Sequence, residues 1–169
     1  MTFITIMNAS SYFGMNQDWA MTILPMTGSI ACFLVFCYML VKGVFEKPTD
    51  EDLYMLLLGV VAILAWKYQS ATFAHFVIIA TFSIAVLPIL RDVLEDPANE
   101  DPTPWSLWCH AFAIGIVVVL LRSHHLITDL IYPWGCFVGH ASLTFITKRA
   151  HAQAAKELEN SKTKTVTNL

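Results

Sequence analysis

The chain has 169 residues, of which 56% are hydrophobic and 14% charged, with a formal charge of -3 and a mean hydropathy of +0.59. So little charge excludes an ordinary soluble domain, and the acidic balance excludes a basic nucleic-acid binder. No phosphate-cradling glycine loop, HExxH or GxSxG occurs, so no enzyme is expected.

Residues 1–19 carry neither the basic start nor the continuous apolar run of a cleavable signal peptide, and read as an extracytoplasmic segment ahead of the first span. Asn8-Ala9-Ser10 in this segment is a glycosylation acceptor pattern, relevant only in a eukaryotic host. A membrane helix needs about 20 mostly apolar residues. The first such run covers about 20–42, with Thr22, Pro25, Ser29 and Cys32 on one face and Gly28 beside it.

The second run, about 53–68, is the weakest, because its apolar core is short and closes on Lys67. Four spans therefore stand as an alternative to five. Its start is well marked by Pro48, by Thr49 as the expected N-cap and by three acidic residues, Asp50 to Asp52, where carboxylates favour the helix dipole. The third run, about 70–90, opens near His75. The fourth, about 104–122, is expected to begin at Pro104 after Thr103, with Trp105 and Trp108 at interface depth and His110 two residues further on.

The fifth run, about 125–147, holds most of the chemistry. Asp129, Pro133, Cys136, His140 and Thr144 or Thr147 recur at steps of three and four, which puts them on one helical face. Thr128, Gly135, Gly139 and Ser142 form a neighbouring stripe of small residues that includes a GxxxG. Close packing on another helix of the same chain is its first reading, and contact with a second copy its second. From about 150 to 169 the chain becomes polar and reads as a short helix fraying into a cytoplasmic tail ending in Thr167-Asn168-Leu169.

The fold expected is thus an all-α polytopic bundle of transmembrane helices over 20–149. One side collects Lys42, Lys47, Arg91, Lys148, Arg149, Lys156, Lys162 and Lys164, and the other only Lys67 and Arg122, which puts the N-terminus outside and the C-terminus in the cytoplasm. The acidic connectors EKPTDED and RDVLEDPANEDPTP fall on the inner side as solvated loops or docking surfaces. Cys32, Cys37, Cys109 and Cys136 lie in apolar stretches without a close CxxC pair and read as packing residues.

Three constellations compete for function. Arg122, His124 and His125, with Asp129 just below them, form an outer cluster that reads either as a solvated loop or as a pH-sensitive gate. Asp129 is either a structural partner of Arg122 or His125 or a cation-binding carboxylate. His110 and His140 fall at similar depth on antiparallel spans, the one arrangement in the chain that invites haem or a metal, although no further ligand is placed near them. No cofactor is otherwise expected.

A short chain with an outside N-terminus, a charged cytoplasmic tail and no catalytic apparatus resembles small phage holins in profile, though not in any motif. The resemblance implies self-association and permeation or lesion formation in a bacterial cytoplasmic membrane, with lipid and further copies of the chain as partners. A non-catalytic accessory subunit of a larger membrane complex is the alternative reading, and a haem-binding redox subunit the third.

Overall fold

The computed structural model describes residues 2–43 and 50–167, which form six helices and, among the described residues, no strand. They are α1 (Thr2–Asn16), α2 (Trp19–Lys42), α3 (Asp50–Tyr68), α4 (Ala71–Glu95), α5 (Pro102–Arg122) and α6 (Leu126–Thr167). Three of them, α2, α4 and α5, are long and apolar enough to cross a membrane. In α3 the apolar stretch, Leu56–Tyr68, is shorter. Large hydrophobic side chains cover the outside, with Val41, Leu121 and Ile127 at 85%, 79% and 80% exposure, as a membrane location requires.

α1 is not among the spans expected from hydropathy. It packs back along α2 as an antiparallel hairpin: the Thr2 hydroxyl donates to Cys32 O (3.1 Å), and the Ser29 hydroxyl donates to Thr5 O (2.6 Å). A two-residue link closes the hairpin. Gln17 takes a left-handed φ of 55°, its side chain donates to Gly14 O, and Asp18 caps α2 by accepting from the backbone of Ala20 and Met21. α1 also lies on α4 and α3, burying Ile4 with Ala62 and Ile78.

The other ends follow from local chemistry. Gly43 stops α2 at a φ of 65°, returning its N–H to Leu40 O and Met39 O. Ser70 caps α4 by accepting from Phe73 N–H. α5 begins two residues earlier than expected, because Asp101, not Thr103, supplies the cap and Pro102 takes the first helical position, where no N–H is needed. The expected cap of α3, Thr49 after Pro48, lies outside the described residues.

α6 has 42 residues, roughly 63 Å at 1.5 Å per residue. The expected short, fraying helix after residue 150 is instead a continuation of α6 to Thr167. Pro133 lies inside it. Proline has no N–H, so the carbonyl four residues earlier, at Asp129, loses its helical donor.

Candidate polar core and the cleft above it

The α1–α2, α3–α4 and α5–α6 turns gather at one end of the bundle. There Arg122, the last residue of α5, donates from Nε to Asp18 Oδ2 at 2.8 Å and ties the two hairpins together. The guanidinium holds the Asp18 carboxyl below its ordinary range. Beside this pair opens a cleft of about 320 Å³, lined among others by Asn16, Asp18, Arg122, His124, His125 and Asp129. The structure thus brings the four outer-cluster residues to one feature.

Asp129 is 2% exposed and pairs with neither Arg122 nor His125. Its partner is Ser123, whose hydroxyl donates to Asp129 Oδ2 (2.6 Å) while accepting the His125 backbone N–H (3.0 Å). A residue that both accepts from the chain at the helix entrance and donates to the first-turn carboxylate fixes that carboxylate in place. The other oxygen, Oδ1, is buried without a partner.

The Asp129 carbonyl, freed by Pro133, accepts from the hydroxyl of Tyr12 at 2.9 Å. That bond crosses from α1 to α6 and sets the depth of α1 in the bundle. Tyr12 is 1% exposed, and its ring lies 5.1 Å from that of His75 and 5.8 Å from that of Tyr132. His75, fully buried in α4, meets Ser11 through Nδ1 at 3.2 Å. The Ser11 hydroxyl also lies 3.1 Å from Asn8 O, one turn earlier on α1. His75 Nε2 and Asn8 Oδ1 are both buried without partners. Tyr132, buried with its ring against those of Tyr12 and His75, completes a core of polar side chains between α1, α4 and α6.

The polar stripe expected on α6 belongs to this core only in its first half. His140, one turn beyond Cys136, is half-buried against the rings of Phe112, Trp105 and Trp108, and its Nδ1 meets Cys136 O at 2.7 Å. Those three aromatics share one face of α5, and His110, at 100° per residue, is on the opposite face and exposed. The arrangement in which His110 and His140 face each other is therefore not formed. Among the described residues no three His, Cys, Asp or Glu side chains gather as a metal site.

Gly135, Gly139 and Ser142 are exposed, and a methyl group built at either glycine would have nothing within 4 Å. The expectation that this stripe packs on another helix of the chain is not met. Its neighbours in sequence, Tyr132 and Cys136, face inward and carry α6 onto the core.

The residues that sequence reading missed are Asn8, Ser11, Tyr12, Asn16 and Asp18 at the start of the chain, with Ser123 and Tyr132. Two signals were available. Asn8, Ser11 and Tyr12 are spaced as one helical face, and Pro133 inside a helix requires a donor from elsewhere for the Asp129 carbonyl. Comparison of the chain with known protein families, with curated proteins and with solved structures returned no match.

Proposed function

We propose that the chain is an integral protein of the bacterial cytoplasmic membrane that acts by permeation, with the polar core between α1, α4 and α6 as its selective part. In this reading α2 to α6 cross the membrane as five spans and α1 is an additional helix inserted beside α2. The bias of Lys and Arg puts the cleft outside and the far end of α6 in the cytoplasm. The observation that carries the reading is Asp129: a carboxylate 2% exposed, with an unpartnered oxygen, between an open cleft and a buried set of polar groups. An intramembrane acid is costly, and where it is not neutralised by a basic partner its usual use is to bind a proton or a cation.

The unpartnered Asn8 Oδ1 supplies a further acceptor beyond it, and the unpartnered His75 Nε2 a further polar atom. The reading includes self-association through the uncovered Gly135–Gly139 face, since membrane helices join where small residues let backbones approach. It includes neither catalysis nor haem. Purified chain in liposomes, loaded with a potential-sensitive dye, should dissipate an imposed gradient, and Asp129→Asn should slow that dissipation without changing the elution volume of the protein. Liposomes that hold their gradient with the wild-type chain would refute permeation.

A second reading, an accessory subunit of a larger membrane complex, is favoured by one observation. The small-residue face of α6 is uncovered at Gly135 and Gly139 within the chain. Isolation of the chain from its native membrane as a stable complex with other proteins, with no gradient loss in liposomes, separates this reading from the first.

A further inference from the structure

We infer that the species taken up at Asp129 is the proton, and that the hydroxyl of Ser123 hands it to the carboxylate. The inference rests on the permeation reading and names what permeates.

The argument starts from the bonds around one oxygen. Ser123 ends α5 in extended backbone, its hydroxyl donates to Asp129 Oδ2 at 2.6 Å, and its oxygen accepts the His125 backbone N–H at 3.0 Å. A hydroxyl has one donor and two acceptor lone pairs, so these two bonds leave a single lone pair on the Ser123 oxygen. Ser123 is half-buried in the α5–α6 turn, whereas Asp129 is 2% exposed. When a hydronium ion at the turn gives a proton to that lone pair, the Ser123 O–H bond facing Asp129 breaks and a new O–H bond forms at Oδ2. The serine is then a neutral hydroxyl again, the hydronium has become water, and the carboxylate has become a carboxyl. Loss of the carboxyl proton into the core, and rotation of the serine hydroxyl back toward Oδ2, reset the pair.

The same contacts do not suit a metal ion, which needs a shell of lone pairs turned toward it, about six to eight oxygens for Ca²⁺ and about six for Mg²⁺. At Asp129, Oδ2 faces the Ser123 proton, the backbone carbonyl takes the Tyr12 hydroxyl at 2.9 Å, and Oδ1 is buried. Among the described residues no three His, Cys, Asp or Glu side chains gather as a ligand set. A proton needs no shell, only a donor and an acceptor within hydrogen-bond reach. Beyond Asp129 the core continues with groups that carry exchangeable protons: Tyr12, Ser11 and His75 are each at most 1% exposed, and Ser11 Oγ lies 3.2 Å from His75 Nδ1.

The test uses the purified full chain in liposomes that enclose a pH-sensitive dye, with an imposed pH gradient and with valinomycin and equal potassium on both sides to carry compensating charge. Parallel liposomes at equal pH enclose a sodium- or potassium-sensitive dye under a gradient of that ion. The wild-type chain should collapse the pH gradient, more slowly in D₂O than in H₂O, and leave sodium and potassium entry at the rate of protein-free liposomes. Ser123→Ala should lose most of the proton flux with helical signal and elution volume unchanged, and Ser123→Thr, which keeps the hydroxyl in backbone that a β-branched residue adopts, should retain it. Sodium or potassium entry with the pH gradient intact would overturn the inference and leave permeation standing, whereas liposomes that hold all three gradients would remove permeation and the inference with it. Proton flux in Ser123→Ala equal to that of the wild type would also overturn it, by removing the serine from the route. The comparison of the three ions needs only the wild-type chain, so it decides the identity of the permeant even if Ser123→Ala does not fold.

Discussion

A methyl group added at Gly14 would lie 2.8 Å from the Trp66 ring and 3.1 Å from Ala71 Cβ, whereas one added at Gly139 would meet nothing within 4 Å. Gly14 belongs to no motif, and Gly139 closes a GxxxG. The pair teaches that glycine spacing reports where a backbone can be approached. Whether it is approached depends on what the rest of the chain brings to that face. On α1 the chain brings α3 and α4, and with them a buried polar set. On α6 it brings nothing to Gly135 and Gly139.

The sharpest way to break this contrast is to fill the tight side. Gly14→Leu should be the most destabilising of the variants considered, costing about 1–3 kcal/mol or more by overpacking, because Ala71 Cβ cannot retreat without the first turn of α4. Thermal unfolding in detergent, followed by the loss of helical signal, measures it. A Gly14→Leu protein as stable as the wild type would mean that α1 does not sit against α3 and α4 at all.

The next effect concerns how α1 is held at its depth. Tyr12→Phe removes the donor to the Asp129 carbonyl and should cost about 0.5–1.5 kcal/mol. In a Pro133→Ala background residue 133 has an N–H again, and the carbonyl regains a helical donor. Tyr12→Phe should then cost less than it does beside Pro133, and the difference, read as a double-mutant cycle, isolates the bond. Equal costs in both backgrounds would mean that the hydroxyl does not serve this carbonyl.

Much of the fold was legible and the reason is physical. Continuous apolar runs have one explanation, so α2, α4 and α5 were expected close to their observed bounds. α1 was not, because its apolar residues alternate with Thr, Asn and Ser, and hydropathy counts that mixture as a loop. Within the chain the α1 hydroxyls donate to helix carbonyls, Thr2 to Cys32 O, Thr5 to Thr2 O and Ser11 to Asn8 O, so a half-polar helix can be buried. The site was half legible for the same reason. Asp129, Arg122, His124 and His125 stood out as charged or titratable groups at a span end, and the cleft gathers them. Their partners, Ser123, Asn16 and Asp18, are ordinary residues until the hairpins meet, and a pairing across 104 positions of sequence leaves no local trace. The polar stripe of α6 was read from periodicity correctly as a direction. Periodicity could not say that α1 covers its upper part while α5 aromatics cover His140.

A smaller effect tests the tie between the hairpins. Arg122 and Asp18 side chains are 54% and 20% exposed, so their pair should contribute under about 1 kcal/mol. The sign follows from Asp18, whose folded carboxyl sits below its unfolded value. Its contribution is fully present above the ordinary carboxylate range and is lost as the pH falls below about 4 through the folded value. Asp18→Asn keeps a good cap for α2 and removes the charge, so it should flatten the acid limb of a stability–pH curve while leaving helix content intact. An unchanged acid limb would assign that limb to other carboxylates.

The smallest effect on the single chain, and the one that returns to the opening contrast, is expected for Gly139→Leu. The site is exposed and open, so a branched side chain meets no neighbour, and leucine is a better helix former than glycine. Unfolding of the monomer should shift by no more than about 0.5 kcal/mol in either direction. If copies of the chain join through this face, the same substitution holds the two backbones apart, and the oligomer fraction at fixed protein-to-detergent ratio should fall while monomer stability stays put. The two measurements pull apart only because Gly139 is free within the chain. A loss of monomer stability approaching that of Gly14→Leu would show instead that this face is covered by the chain itself, and the distinction between the packed and the open glycines would collapse.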